Sequence, residues 1–497
     1  MVKVFLIGYD YKYEIREFLK LFYPANSIEI ITDIKDSTDI LNKDYKNDII
    51  ISELKIKNNI ITARNKIINV NKSNFKETIN NIQINKNENE TKIKKLIKIL
   101  LKSSLFKLLQ TEKNKYIPWG ILTGIRPVKI AHGLMDENKT DDEIIEKLVS
   151  DKLLKKEKAL LLLEIAKRER PYVYPIDKNK VSLYISIPFC PSRCIYCSFP
   201  SNSLSKYYKY KSDYLKALFI EINATANLIK EKNKKIETIY IGGGTPTCLD
   251  SDEISILIGH IIDSFNLKDL KEFTVEAGRP DTINIEKLKI LKDKGVTRIS
   301  INPQTMNDIT LKRIGRNHSA IDVIKAYEMA EKIGFKNINM DIILGLPGEN
   351  IDMLIYTMDE IKKLAPNNLT VHTLAIKRTS KLEKENYEDN NTNIVDMLEI
   401  SKEYCENMGL KPYYLYRQKH MLGNLENIGY AIPGNECIYN IQIMEEKQSI
   451  IAMGAGAVSK IVFPDEDRLE RVPNIKDLIT YMDRVAEMPE RKKIYLI

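Results

Sequence analysis

From Val181 onward, short apolar runs rich in β-branched residues alternate with segments of helical length. The runs are "VSLYISI" (181–187), "IETIYIG" (236–242), "EFTVEA" (272–277), "TRISIN" (297–302), "NINMDIIL" (337–344) and "LTVHTLA" (369–375). Runs of this length and composition predict strands. The stretches 210–232, 252–265, 284–294, 319–334 and 351–364 between them predict helices. Strand–helix–strand crossovers imply a parallel sheet covered by helices. Six strands predict a partial (β/α)6 barrel over 176–376, open on one side.

The rest of the chain has other rhythms. "VKVFLIG" and "NDIIISELKIKNNIITARNKIINV" are β-rich, and "NKNENETKIKKLIKILLKSSLFKLLQTEK" leads into a long helix. Residues 1–110 therefore predict a small α/β N-terminal domain. Pro118, Trp119 and Pro127 interrupt the pattern, and two helices follow, with Thr140 and Asp141 as candidate caps. This makes 111–175 a helical connector. Beyond 376, a charged helical segment and two glycine-bearing stretches predict a C-terminal extension, 377–497, over the barrel's open side. The expected fold class is α/β throughout.

Composition narrows the picture only a little. The chain has 497 residues, too long for one ordinary core. No apolar run reaches the roughly 18–20 residues that span a bilayer, and the N-terminal stretch has no signal-peptide pattern, so a cytoplasmic protein without a membrane span is expected. Net charge is +9, but the lysines are scattered among Asn and Ile without interleaved aromatics. That pattern reads as solvated helix faces and argues against a nucleic-acid partner.

The barrel's chemistry-bearing residues fall at strand C-termini, the face barrel folds use for active sites. "FCPSRCIYCSFPS" (189–201) follows the first strand and holds Cys190, Cys194 and Cys197. Gly242–Gly244 follow the second, Glu276 ends the third, Asn302 and Gln304 follow the fourth, and Asp341 lies in the fifth. A structural zinc site usually shows four Cys or His in paired elements. Here C-x3-C-x2-C stands without a partner pair, while Cys248, Cys405 and Cys437 are dispersed. Three thiolates from one loop can hold three irons of a cubane and leave the fourth open. Glu276 and Asp341 lie in strands expected to be buried, where an unpartnered acid is costly.

The cysteine loop, with "GGGTPT" (242–247) one strand later, resembles the radical S-adenosylmethionine (SAM) superfamily. "LYISIPFCPSRCIYC", "YIGGGTPT", "RISINPQTMNDITLKRIGR" and "NMDIILGLPGE" resemble its oxygen-independent coproporphyrinogen III oxidase family. "TVEAGRPDT" and "YYLYRQKHMLGNLENIGYA" are similar to the HemZ-type branch, the coproporphyrinogen dehydrogenases. The similarity runs over about 181–460.

The resemblance implies a [4Fe–4S] cluster on Cys190, Cys194 and Cys197, whose open iron is chelated by SAM. One electron then cleaves SAM to a 5′-deoxyadenosyl radical. It places Tyr184, as a catalytic residue, at the SAM and substrate site. Gly243, Gly244 and Thr245 fall at the methionine moiety, Glu276 at the ribose and Ala375 at the adenine. Gln304, Arg316 and Asp341 become further SAM contacts. It implies oxidative decarboxylation of two coproporphyrinogen III propionates to vinyls, giving protoporphyrinogen IX in haem biosynthesis, with a flavodoxin or ferredoxin as electron donor. Such a polyanion wants cations, and Arg378, Arg417 and Lys419 are the candidates.

The sequence departs from the oxidase pattern at Phe199, where a further cysteine stands in the family, and "YYLYRQKH" replaces a Tyr-Glu-Ile-Ser signature. The missing cysteine is shared with the haem-chaperone branch. "AMGAGAVSK" (452–460) resembles the family's glycine-rich stretch near a second SAM. Haem delivery and a different tetrapyrrole reaction, methyl transfer or haem breakdown, stay open beside the dehydrogenase.

Overall fold

The computed structural model describes all residues except 33–47, 70–73, 86–87, 125, 200–201, 378–379, 385–392 and 496–497. The chain divides into two compact units. One comprises Met1–Ile125 and Gly133–Leu163, the other Arg126–His132 and Glu164–Ile497.

The first unit is built on a five-stranded sheet of β1 (Val2–Ile7), β2 (Ile28–Ile31), β3 (Asp48–Lys57), β4 (Ile60–Asn69) and β5 (Asn74–Gln83), in the order β2-β1-β3-β4-β5. β1 is parallel to β2 and β3, and β3-β4-β5 form an antiparallel meander. Asn58 and Asn59 make the β3–β4 turn with φ of 51° and 61°. Asparagine tolerates that left-handed pair, which matches the twist of a two-residue hairpin. The helix Glu90–Lys113 buries Ile97, Leu101, Leu105 and Leu108 along one face, and Asn89 caps its start by accepting from Lys92 N–H at 2.8 Å. Thr140 and Glu143 form a capping box at the start of Asp141–Lys152.

The second unit carries an eleven-stranded sheet. Its strands are β6 (Lys180–Ile187), β9 (Lys235–Gly243), β10 (Glu272–Glu276), β11 (Arg298–Ser300), β12 (Asn337–Leu344), β13 (Asn368–Thr373), β14 (Lys411–Tyr416), β15 (Asn427–Ala431), β16 (Ser449–Met453), β17 (Val458–Phe463) and β18 (Arg468–Pro473). A separate two-residue pair, β7 (Phe189–Cys190) and β8 (Asn202–Ser203), lies in the cysteine loop. From β6 through β9, β10, β11 and β12 to β13, every neighbour is parallel. These are the six strands expected from the sequence, joined by helices Lys211–Glu231, Ser251–Ser264, Ile285–Asp293, Ala320–Ile333 and Ile351–Leu364.

Later strands continue this sheet at both edges. β15 pairs antiparallel with β13 and carries β14, while β16 pairs parallel with β6 and carries β17 and β18. Among the described residues the sheet stays open, with β14 and β18 at its ends. Its central strands are buried on both faces, as helix-covered parallel sheets are. Among those residues no helix is long and apolar enough to cross a membrane.

Candidate active site

β6 delivers the cysteine loop. The loop closes where β7 pairs with β8, and Asn202 N–H donates to the Pro188 carbonyl at 2.7 Å. Its middle is pinned to the turn after the helix Asp308–Arg313. Ile195 N–H donates to Ile314 O at 3.1 Å, and Ser192 Oγ to Gly315 O at 2.9 Å. Cys197 N–H donates to Cys194 O at 3.1 Å, so the last two thiols share one tight turn. All three cysteines are free thiols, with Cys194 buried and Cys190 and Cys197 half-buried. Burial pushes the Cys190 and Cys197 thiols up from their ordinary value.

The glycine triplet ends β9 directly against this loop. Gly244 N–H donates to Ile187 O at 2.8 Å and Thr245 N–H to Phe189 O at 2.7 Å. A Cβ on Gly244 would run into the Phe189 carbonyl, and one on Gly242 would sit 2.9 Å from the Glu276 carboxyl carbon. Gly243 takes φ +109°, which side chains rarely adopt. Within the chain, the glycines let β9 approach the loop bearing Cys190 and leave room for Glu276. Thr245 Oγ1 donates to Cys190 Sγ at 3.5 Å.

Across the strand ends lies a row of polar groups in an apolar surround. Glu276 accepts from Tyr240 OH at 2.7 Å. Burial pushes its carboxyl up to about 7, with the Asp341 charge adding to the shift and the Tyr240 bond opposing it. Asp341 goes the other way. Burial would raise it, but His372 and the Asn339 amide, 2.7 Å away, hold it below the usual carboxylate value. Gln304 is held at φ +68° by bonds from its N–H to Asp341 O (2.9 Å) and from Ile343 N–H to its carbonyl (3.0 Å). Its side-chain oxygen, and that of Asn302, are buried without a hydrogen-bond partner. Tyr184 is stacked near Tyr240 and Tyr439, at centroid distances of 6.2 and 6.1 Å, and Tyr240 lies 4.4 Å from Tyr439.

Tyr439 comes from a helix that sequence reading left unassigned. Glu272, at the start of β10, accepts from Ile438 N–H at 2.8 Å and Tyr439 N–H at 3.3 Å. This caps the helix Ile438–Glu445 and fixes where Tyr439 meets the stack.

Arg316 is buried beside the cysteine loop. It donates to Asn302 O at 2.6 Å, Gly278 O at 3.3 Å and Tyr196 OH at 3.3 Å. A second buried arginine, Arg279, was not singled out from the sequence, although "TVEAGRPDT" contains it. Its guanidinium lies 3.8 Å from Cys194 Sγ and 3.3 Å from Ser192 Oγ. It also grips Asp281 through two bonds of 2.9 Å. His318 Nδ1 stands 3.7 Å from the same carboxylate. Against the burial that would raise it, His318 and Arg279 hold Asp281 well below the usual carboxylate range. Only the fold brings this charge relay under the thiols, so spacing alone carried no signal for it.

The substrate candidates separate. Arg417 is buried and donates to Leu425 O at 3.2 Å, Asn424 O at 2.9 Å and Asn424 Oδ1 at 2.7 Å. Those partners are the chain's own turn between β14 and β15. Lys419 is exposed. Arg378 lies outside the described residues. Ala375 forms an isolated bridge to Met421. Phe199 is exposed, with Lys377 Nζ 5.9 Å from its ring centroid. The glycine-rich stretch packs inward. Gly454 N–H donates to Glu221 at 2.9 Å and Ala455 N–H to Tyr214 OH at 3.2 Å, so both amides are already engaged.

A parallel half-barrel with a three-thiol loop after its first strand defines the class. Residues 184–361 match the radical SAM superfamily. The chain is 41% identical over 396 residues to the oxygen-independent coproporphyrinogen-III oxidase-like protein HemZ of Bacillus subtilis, covering 78% of this chain and 79% of that one. It is 39% identical to the haem chaperone HemW of the same organism over 199 residues, 39% of this chain and 50% of that protein. The solved structure of coproporphyrinogen III oxidase (HemN) from Escherichia coli, described as a radical SAM enzyme, overlays with a TM-score of 0.52. It has 23% identity over 65% of this chain and 73% of that one. This chain belongs to the HemZ-type, oxygen-independent coproporphyrinogen III oxidase-like family of radical SAM proteins.

That family's cofactors are a [4Fe–4S] cluster and SAM, and the residues fit both. All three thiols come from one loop, and the Arg279 guanidinium beside Cys194 offsets the negative charge that thiolates would bring. The unpartnered amide oxygens of Asn302 and Gln304 are what a polar ligand would satisfy.

Proposed function

We propose that this protein oxidatively decarboxylates two propionates of coproporphyrinogen III to vinyl groups. The observation that carries this reading is the extent of the likeness to the oxidase-like protein HemZ, 41% identical over 78% of the chain, against 27–39% identity over 39–63% of the chain for the HemW chaperones. Each turnover converts –CH2–CH2–COO⁻ into –CH=CH2, with loss of CO2, transfer of one hydrogen atom to the 5′-deoxyadenosyl radical, and transfer of one electron to a one-electron acceptor. When bound, the cluster and SAM supply the one-electron cleavage that removes the hydrogen atom, with a flavodoxin or ferredoxin as donor.

Cys190, Cys194 and Cys197 hold the cluster. Gly243, Gly244 and Thr245 offer backbone and hydroxyl to the methionine moiety, which Gln304, Arg316 and Asp341 also face. Glu276, oriented by Tyr240, accepts from the ribose hydroxyls. Ala375 presents backbone to the adenine. Tyr184, on the stacked tyrosine row, bounds the space between SAM and tetrapyrrole. Arg378, Arg417 and Lys419 are the cations offered to the substrate's propionates.

The test is anaerobic turnover of the cluster-loaded protein with reductant, SAM and coproporphyrinogen III. Vinyl-bearing product with matching methionine is expected. Phe199, standing where the oxidase pattern has cysteine, favours haem delivery as the second reading. Haem binding and SAM cleavage without decarboxylation would establish it in place of the first.

A further inference from the structure

The helix that Glu272 caps has a second end. Its last residue, Glu445, is fully buried, and both of its carboxylate oxygens lack a hydrogen-bond partner. Beside it are Glu169, on the helix Lys156–Val173, and His132, on the helix Val128–Asp136, both buried as deeply. His132 Nε2 is 2.9 Å from Glu169 Oε2 and 3.6 Å from Glu445 Oε2. One ligand atom from each of the three lies within 4.8 Å of the others. Glu169 Oε1 also lacks a partner.

Nearby cations do not resolve the charge. Arg126, Lys129, Lys460 and Arg471 all pair with Glu446, the next residue. Two buried carboxylates without a directly paired lysine or arginine are costly as anions, and Lys129, Lys447 and Arg126 act on Glu445 only as a smaller opposing influence than its burial. Burial accordingly drives both carboxyls upward, Glu169 well above its ordinary value and Glu445 to about 7. A proton shared between them would neutralise one charge and still leave carboxylate oxygens without donors. A divalent cation with two carboxylates and a neutral imidazole sums to zero and satisfies all three side chains at once. Donor atoms each about 2.1 Å from one ion stand roughly 3.0 Å apart at right angles and roughly 3.4 Å apart at the tetrahedral angle. The measured separations of 2.9 and 3.6 Å fall just to either side of that interval, and the two carboxylate oxygens lie within 4.8 Å of each other.

We propose that His132, Glu169 and Glu445 bind one divalent first-row cation, Mn2+ or Zn2+, at the end of the helix opposite Tyr439. One imidazole nitrogen with carboxylate oxygens suits those ions better than Cu+ or an iron–sulfur cluster. The ion ties the helix to two others, so Tyr439 is held from both ends, by Glu272 at the start and by metal at the finish.

The test uses the full-length, cluster-loaded protein, so that the loop thiols are already occupied. It is dialysed against Mn2+ alone or Zn2+ alone, desalted, and its metals counted with the cluster iron. About one equivalent beyond that iron is expected in the wild type, with a higher thermal midpoint than the chelator-treated protein. Glu445→Gln and Glu169→Gln, both isosteric, should each retain at least about tenfold less of the added metal while keeping the cluster iron. The kept iron shows that the variants have folded. No retained Mn2+ or Zn2+ in the wild type, or equal retention in both variants, overturns the proposal. The readout does not depend on which tetrapyrrole reaction the protein performs.

Discussion

The two sheets of this protein treat polar residues in opposite ways. In the first unit, β4 alternates exposed and buried positions along its length, so Thr62, Arg64 and Lys66 simply occupy the wetter face. In the second unit, β6 and β12 are buried on both faces. Tyr184 on β6, Asp341 on β12 and Glu276 at the end of β10 are half-buried positions among otherwise buried neighbours. In β4 the wetter face takes most of the polar residues, with Asn65 and Asn69 as buried exceptions, whereas in a strand buried on both faces every polar residue is placed at a cost and marks the site.

The largest expected break in this contrast is at the cysteine loop. Cys194→Ser should lose the cluster iron and abolish SAM cleavage, and a variant that kept both would undo the cluster assignment. Next comes Arg279→Gln, which removes a buried positive charge 3.8 Å from Cys194 Sγ. The cluster's midpoint potential should become more negative and reductant-driven SAM cleavage should fall by about 10–100-fold. Arg279→Lys should restore part of the potential, an outcome a purely structural role would not give.

Glu276→Gln should weaken SAM binding by about 10–100-fold at pH 8, where the wild-type carboxyl is ionised. Wild-type affinity should fall as pH drops below about 7, and the variant's should not. Stability moves oppositely. With its pKa raised from 4.5 to about 7, Glu276 holds a proton in the folded chain that the unfolded chain releases. Its contribution to stability is therefore lost as pH rises through that window, and Glu276→Gln should flatten the loss in thermal unfolding. The smallest effect belongs to the other sheet. Glu77 pairs with the exposed Arg64 at 2.6 Å between β5 and β4. Glu77→Gln should change unfolding free energy by no more than about 0.5 kcal/mol.

The six central strands were legible in the sequence because strand and crossover helix are local patterns, each written in one stretch of chain. The strands β14–β18 were not placed, because joining the sheet beyond β13 or β6 is a choice of distant partner that no local period records. The same divide runs through the site. Cys190, Cys194, Cys197 and the glycine triplet declare themselves by spacing. Arg279 and His318 read as ordinary surface types until folding places them beside Asp281 and the thiols. Arg417 shows what spacing leaves out from the other side: a cation in an aromatic stretch reads as a ligand for substrate anions, and only the fold shows that it also donates to Asn424 and Leu425.

The pairing of β16 with β6 has a consequence for how the protein is made. Ser449 lies beside Val181 and Met453 beside Ile185. A ribosome adding about 5–20 residues per second needs roughly 10–50 s to travel from the cysteine loop to that partner strand. Throughout the interval, one edge of the strand leading into Cys190 lacks its neighbour, so the sheet that presents the cysteine loop is complete only in the finished chain.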